Sequence, residues 1–85
     1  MRNQEHLPPG FSITLASGPD YERLFAEIYY DEKFVLLVSQ ENGPEDLLVE
    51  IPGPGLVEER ICREVSWQGL LRALEAAAQI LLEDE

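Results

Sequence analysis

The sequence predicts an α+β fold, in which an antiparallel meander of four to five strands carries one C-terminal helix packed on one face. Three observations predict it: apolar residues alternate from Phe11 onward, residues 34–38 are continuously apolar, and apolar residues recur at helical spacing over residues 66–83. Sequential strands joined by short turns usually pair as neighbours, and an amphipathic helix covers one face of such a sheet. The 85 residues correspond to a single domain, divided into a flexible lead (1–10), a sheet (11–65) and the helix.

The first three strands follow from hydrophobic periodicity. From Phe11 apolar and polar residues alternate, and the turn-forming residues 17–20 end this strand. Residues 21–30 are ambiguous at their start, where a helix could also begin, while their second half alternates as a strand does. Residues 31–33 form a tight connection to residues 34–38, whose β-branched and other apolar side chains predict a central strand covered on both faces.

The second half of the sheet is less regular. Residues 41–46 contain Asn-Gly, a proline and three acids, and so predict a loop. Residues 47–51 form a short strand, and the Pro-Gly-Pro-Gly sequence at 52–55 then forces a sharp corner. Residues 57–65 alternate less cleanly and are interpreted as an edge strand, which could pair with a second copy to form a homodimer.

The C-terminal helix has the clearest pattern of the chain. Ser66 is the predicted N-cap, since its hydroxyl can accept a hydrogen bond from an unpaired amide of the first turn. Polar residues occupy the side of the helix opposite the apolar ones. The residues expected to face the sheet are Trp67, Leu70, Leu71, Leu74, Ala77, Ala78 and Leu81.

Composition restricts the classes of partner. Seventeen acidic residues against six basic ones give a formal net charge of −11, which argues against nucleic acid and anionic membranes and favours capture of cationic proteins. No apolar run approaches the roughly 20 residues of a membrane span, and the N-terminus lacks a signal-peptide pattern. Because Cys62 is the only cysteine, no intrachain disulfide can form, and we expect a reduced, cytoplasmic protein.

Residues suited to catalysis or to holding a cofactor are few, so the sequence predicts neither an enzyme nor a cofactor. The only histidine, His6, lies in the predicted lead, where it cannot hold the geometry that a general base needs. Cys62 is interpreted as a half-buried structural thiol. One cysteine and one histidine cannot form a zinc site, and residues 41–46 lack the spacing of a calcium loop.

Acidic side chains interleaved with aromatic ones are the best candidates for binding a partner. Glu27 and Tyr29 are predicted to share one face of their strand, with Asp31 and Glu32 in the turn beyond it. One further acidic cluster lies in the 41–46 loop, and another follows the Pro-Gly corner. The predicted partner-binding residues are Glu27, Tyr29, Asp31, Glu32, Glu41, Glu45, Asp46, Glu58 and Glu59.

Residues 27–43, residues 48–53 and the final Leu/Ala helix resemble small bacterial immunity proteins, which are encoded beside polymorphic toxins of the contact-dependent inhibition and Rhs types. The resemblance extends over residues 7–83. It implies a non-enzymatic cytoplasmic inhibitor that binds a cognate toxin. A nuclease-type toxin has a basic cleft, and an acidic protein could cover that cleft or a neighbouring basic surface. The alternative is a general interaction module, such as a secretion chaperone or an assembly subunit, whose exposed apolar residues make the contacts.

Overall fold

The computed structural model describes residues 7–83 and contains a four-stranded antiparallel sheet crossed by one helix. The strands pair in chain order, so each strand lies beside its sequence neighbour. The elements are β1 (Phe11–Ala16), β2 (Phe25–Tyr30), β3 (Lys33–Ser39), β4 (Leu48–Glu50) and α1 (Trp67–Glu83). The predicted α+β meander with a C-terminal helix is therefore confirmed.

An irregularity in the pairing of β2 with β3 explains why β3 is apolar almost throughout. Tyr29 pairs with Phe34 whereas Ile28 pairs with Leu36, so Val35 is an extra residue on β3, as in a β-bulge. The bulge lets Val35 and Leu36 both enter the main hydrophobic cluster. An alternation of strict period two is thereby replaced by a run of buried residues.

The two faces of the sheet have different cover. Ile13, Ile28, Leu36 and Val38 lie on the face against α1 and belong to the hydrophobic core. We call the other side the open face; across the strand pairs it carries Ser12, Thr14, Glu27, Tyr29, Phe34, Leu37, Ser39, Leu48 and Glu50. Within residues 7–83 no helix packs on the open face, although the loop before β2 covers one end of it.

The helix meets the sheet with only part of the apolar face that the sequence predicts. Its N-cap is as expected, since the Ser66 hydroxyl accepts a hydrogen bond from the Gly69 amide at 3.0 Å. Of the residues predicted to face the sheet, Ala77 and Leu81 are buried, and Leu70 and Leu74 pack against the core. The other buried helix residues are Gly69, Ala73 and Ile80. Trp67, predicted to face the sheet, is 72% exposed. The reason is close approach: a Cβ added at Gly69 would lie 2.7 Å from the Phe11 ring, so small residues allow this side of α1 to approach the sheet.

The prediction of an edge strand over residues 57–65 is wrong. This segment contains a short 3-10 turn at Glu58–Arg60 and a single parallel bridge between Phe34 and Ile61, in which the Cys62 amide donates to the Phe34 carbonyl. The 3-10 turn interrupts the extended chain, and the segment meets β3 only at Phe34, so no continuous ladder forms. The edges of the sheet are therefore β1 and β4, and the homodimer predicted through residues 57–65 has no strand there to form it.

The predicted flexible lead, residues 1–10, is described by the structure only from Leu7 onward. Residues 1–6, including His6, lie outside the described residues. Leu7, in contrast, packs against the hydrophobic core, and the Gly10 carbonyl accepts a hydrogen bond from the Asp31 amide at 2.8 Å. Residues 7–10 thus belong to the folded part of the chain.

Ser39 provides a test of the packing on β3. Its hydroxyl is completely buried and has no hydrogen-bond partner, an arrangement that costs about 1–3 kcal/mol. We therefore expect Ser39→Ala to leave the free energy of unfolding unchanged or to raise it by about 1 kcal/mol, as measured by urea denaturation. Ser12→Ala, at an exposed position on the same face, is the control. A loss of more than 1 kcal/mol for Ser39→Ala would contradict the unpaired state of the hydroxyl.

Candidate partner-binding surface

The hairpin formed by β2 and β3 brings the first group of predicted partner-binding residues together. Glu27 and Tyr29 share the open face, as predicted, and the Tyr29 hydroxyl donates to Glu27 Oε1 at 3.1 Å. The Tyr29 ring meets the Phe34 ring edge-on, with 5.7 Å between centroids. Partial burial and the hydrogen bond to Glu27 both raise the pKa of Tyr29, so its hydroxyl remains a donor at neutral pH.

The turn between these strands presents two carboxylates in an unusual backbone conformation. Asp31 and Glu32 are exposed and have φ angles of 54° and 67°, the left-handed region that a type I′ hairpin turn requires at both central residues. Asn-Gly and Asp-Gly are usual sequences of such a turn, because Asn and Asp tolerate this region and Gly has no Cβ, whereas other L-residues cost about 1–2 kcal/mol there. Asp31 therefore suits its position, and Glu32 stands where Gly would be more stable.

Glu41 has a structural contact that its sequence position did not suggest. Its carboxylate accepts the backbone amide of Glu22 at 3.0 and 3.2 Å and that of Arg23 at 3.0 Å. The same loop is held by Tyr21, whose hydroxyl donates to Glu50 Oε1 at 2.8 Å. The Glu50 carboxylate raises the pKa of Tyr21 chiefly through this hydrogen bond. Glu41 therefore anchors the loop before β2 to the end of β3.

Removing the Glu41 carboxylate tests this anchor. Glu41→Ala should accelerate hydrogen exchange at the Glu22 and Arg23 amides and lower the free energy of unfolding by about 1 kcal/mol, because charge-assisted hydrogen bonds are lost. Glu45→Ala, an exposed acid in the same loop, is the matched control and should change neither quantity. Equal exchange rates in the two variants would argue against the anchor.

The remaining predicted acids differ in their surroundings. Glu45 and Glu59 are exposed, whereas Asp46 accepts a hydrogen bond from the Asn42 amide group at 2.6 Å. Glu58 forms a two-point ion pair with Arg63, whose guanidinium also donates to the carbonyls of the 52–55 corner. The hydrogen bond from Arg63 lowers the pKa of the Glu58 carboxyl. Asp46 and Glu58 thus stabilise their own loops, whereas Glu45 and Glu59 are exposed, as are Asp31 and Glu32 at the tip of the β2–β3 hairpin.

An apolar surface on α1 is the feature that the sequence prediction missed. Trp67 and Leu71, both expected in the core, are exposed, and Leu82 is exposed further along the helix. The sequence does indicate this surface, because at about 100° per residue the apolar side chains of α1 span more than half of the circumference of the helix. A helix on one face of a sheet cannot bury so wide an arc.

Among residues 7–83 no group of three or more His, Cys, Asp or Glu side chains is placed to hold a metal ion. The Cys62 thiol is half-buried and donates to the Glu64 carbonyl at 3.4 Å. Within the same residues, no helix has both the length and the apolar character needed to cross a membrane.

Comparison with known proteins identifies no relative of this chain. No protein-family model matches this chain, and no curated protein or solved structure is similar enough to indicate a relationship.

Proposed function

We propose that this chain is an immunity protein: a non-enzymatic cytoplasmic inhibitor that binds a cognate bacterial toxin domain and covers its basic surface or active site. The observation that carries the proposal is the β2–β3 hairpin, which exposes Asp31 and Glu32 at its tip and holds Tyr29 beside Glu27 on a face without a helix. Carboxylates next to an aromatic ring suit a cationic protein surface, because they combine charge pairing with contact area.

The strained turn supports a role beyond folding. Strain of the kind seen at Glu32 is usually retained where a side chain is needed for function, since replacement of Glu32 by Gly would stabilise the hairpin. The net charge of −11 also exceeds the magnitude of about 2 to 8 that solubility requires of a small domain. Both observations favour a cationic target.

Electrostatic steering explains how such an inhibitor would act. A nuclease-type toxin needs a basic cleft for its substrate, and an acidic protein reaches such a cleft at rates up to about 10⁸–10⁹ M⁻¹s⁻¹ at low salt. Once bound, the hairpin carboxylates replace the phosphates of the substrate as partners of the Lys and Arg side chains. Inhibition is then stoichiometric and requires no chemical step.

The test is to produce the chain together with the protein encoded next to its gene. The proposal expects a toxin domain there, a 1:1 complex on gel filtration, and loss of toxin activity at one equivalent of this chain. Binding should weaken as salt rises, because exposed charges are screened within about 10 Å at 0.1 M. A neighbouring toxin that stays fully active with excess chain present would rule the proposal out.

The alternative, a secretion chaperone or an assembly subunit, is favoured by one observation: the exposed apolar residues of α1 and β4. A chaperone would leave the activity of its client intact and improve its solubility or export. Loss of activity of the neighbouring protein at one equivalent of this chain therefore separates the two functions.

A further inference from the structure

A groove separates α1 from the chain that leaves β4. Its floor is formed by Val35 and Leu36, its walls by Leu70 and Ile51, and its end by Cys62 and Val65. It encloses about 350 Å³. Ile51 is 75% exposed although it lines this groove, so its side chain offers contact area that the chain itself does not use.

Exposed apolar side chains extend the groove on both sides. Trp67 precedes the groove-lining Leu70 by three residues and Leu71 by four, so these side chains lie near one another on α1. On the sheet, Val49 pairs with the buried Val38 and therefore points to the helix side, yet it is 47% exposed. The helix packs mainly over β1 and β2, which explains why the helix side of β4 has little cover. Soluble monomers rarely leave large apolar patches uncovered unless the patches bind something.

The charges around the groove select its occupant. The acidic Asp31–Glu32 turn lies at the same end of the sheet, because the Cys62 amide at the groove bonds to the Phe34 carbonyl just after that turn. Glu64 is exposed beside the groove-lining Val65. The single cation in the lining, Arg63, is neutralised by its ion pair with Glu58. Lys33, exposed directly after the turn, offsets one of these acids, but Asp31, Glu32 and Glu64 still outnumber it. The surroundings are thus net acidic, and a second copy with its own net charge of −11 would be repelled.

We propose that this groove binds an apolar segment of a partner protein whose flanking residues are Lys or Arg. The apolar side chains of the segment would fill the space between Ile51 and Leu70 and cover Trp67, and its basic residues would face Glu64 and the Asp31–Glu32 turn. This inference rests on the proposed function in one respect, the cationic partner, and adds that the main apolar contact lies on the helix side of β4.

The only tryptophan of the chain, Trp67, reports directly on this surface. The probe is a synthetic amphipathic peptide of about 18 residues, or five helical turns, with Leu on one side and Lys on the other. At about 0.15 M salt we expect it to shift Trp67 emission to the blue and to protect the ring from acrylamide quenching. Peptides with Glu in place of Lys, or Ser in place of Leu, should do neither.

Paired variants locate the binding site. Leu71→Ser and Ile51→Ser change exposed side chains, so folding is preserved, and each should weaken peptide binding by about fivefold to tenfold. Leu48→Ser and Leu24→Ser change exposed apolar residues outside the groove and should leave binding within about twofold. Isothermal titration calorimetry measures the affinity independently of the tryptophan.

The outcomes separate this inference from the proposed function. If both groove variants leave peptide binding unchanged, or if the peptide does not bind at all, the groove is not the binding site. Toxin inhibition is tested separately and is not affected by either result. Emission that is already blue-shifted in dilute protein, or that shifts with protein concentration alone, shows the groove covered by the chain itself or by a second copy and overturns the inference. Groove-dependent peptide binding without toxin inhibition would support the groove and reject the immunity function.

Discussion

Replacing Ile28 with alanine is expected to lower the free energy of unfolding by about 3 kcal/mol, within the 2–5 kcal/mol typical of such truncations. Ile28 is completely buried on β2, where it lies opposite Ile13 on β1 and Leu36 on β3. Its truncation leaves a cavity among strands that cannot collapse around it. Small domains have a free energy of unfolding of only about 5–15 kcal/mol, so this single change removes a large part of the stability of the protein. Urea denaturation followed by circular dichroism measures the loss.

Ile51→Ala is the matched control for that experiment, because it makes the same chemical change at a side chain that is 75% exposed. We expect it to change stability by less than about 0.5 kcal/mol. If Ile28→Ala does not fold, Ile28→Val should still lose about 1 kcal/mol. Equal losses at positions 28 and 51 would contradict the assignment of the core.

The second large effect concerns the partner. Replacing both Asp31 and Glu32 with lysine should weaken binding to the cognate toxin by about 100-fold or more, since reversing charges near a basic surface costs several kcal/mol. The association rate should fall most, and the salt dependence of binding should decrease. Surface plasmon resonance at several salt concentrations measures both.

The control for this pair is Glu22→Lys with Glu75→Lys, at two exposed positions away from the turn. Both pairs raise the net charge by four, from −11 to −7, so overall charge is matched. A second variant, Asp31→Asn with Glu32→Gly, has the preferred residues of a type I′ turn and should raise stability while weakening binding. If the variant with lysine at positions 31 and 32 binds the toxin as tightly as the control variant, the hairpin is not part of the interface.

Local pattern was sufficient for most elements of the fold. Alternation at β1, the apolar run of β3 and the helical spacing of α1 are properties of neighbouring residues, and each element appears where its pattern predicts. The edge strand predicted over residues 57–65 fails for a non-local reason. A strand is stable only when another strand lies beside it over several residues, and this segment meets β3 at a single bridge with Phe34.

The candidate site was predictable to a smaller degree. Glu27 and Tyr29 share a face because strand alternation is local, and Asp31 and Glu32 form the turn because the flanking strands define it. Glu41 and Glu58 could not be separated from the other acids by sequence, since their partners lie elsewhere in the chain: amides 18 and 19 residues away for Glu41, and a guanidinium beyond a turn for Glu58.

By itself the sequence determined the order and type of the elements, the net charge of −11 and the acidic hairpin tip, because these depend on composition and short-range periodicity. Only the tertiary structure decided which flank of α1 meets the sheet. That choice depends on how closely two surfaces can approach: Gly69 and Ala73 admit Phe11 and the strands, so the bulkier Trp67 and Leu71 remain outside. The same packing uncovers the apolar groove beside β4.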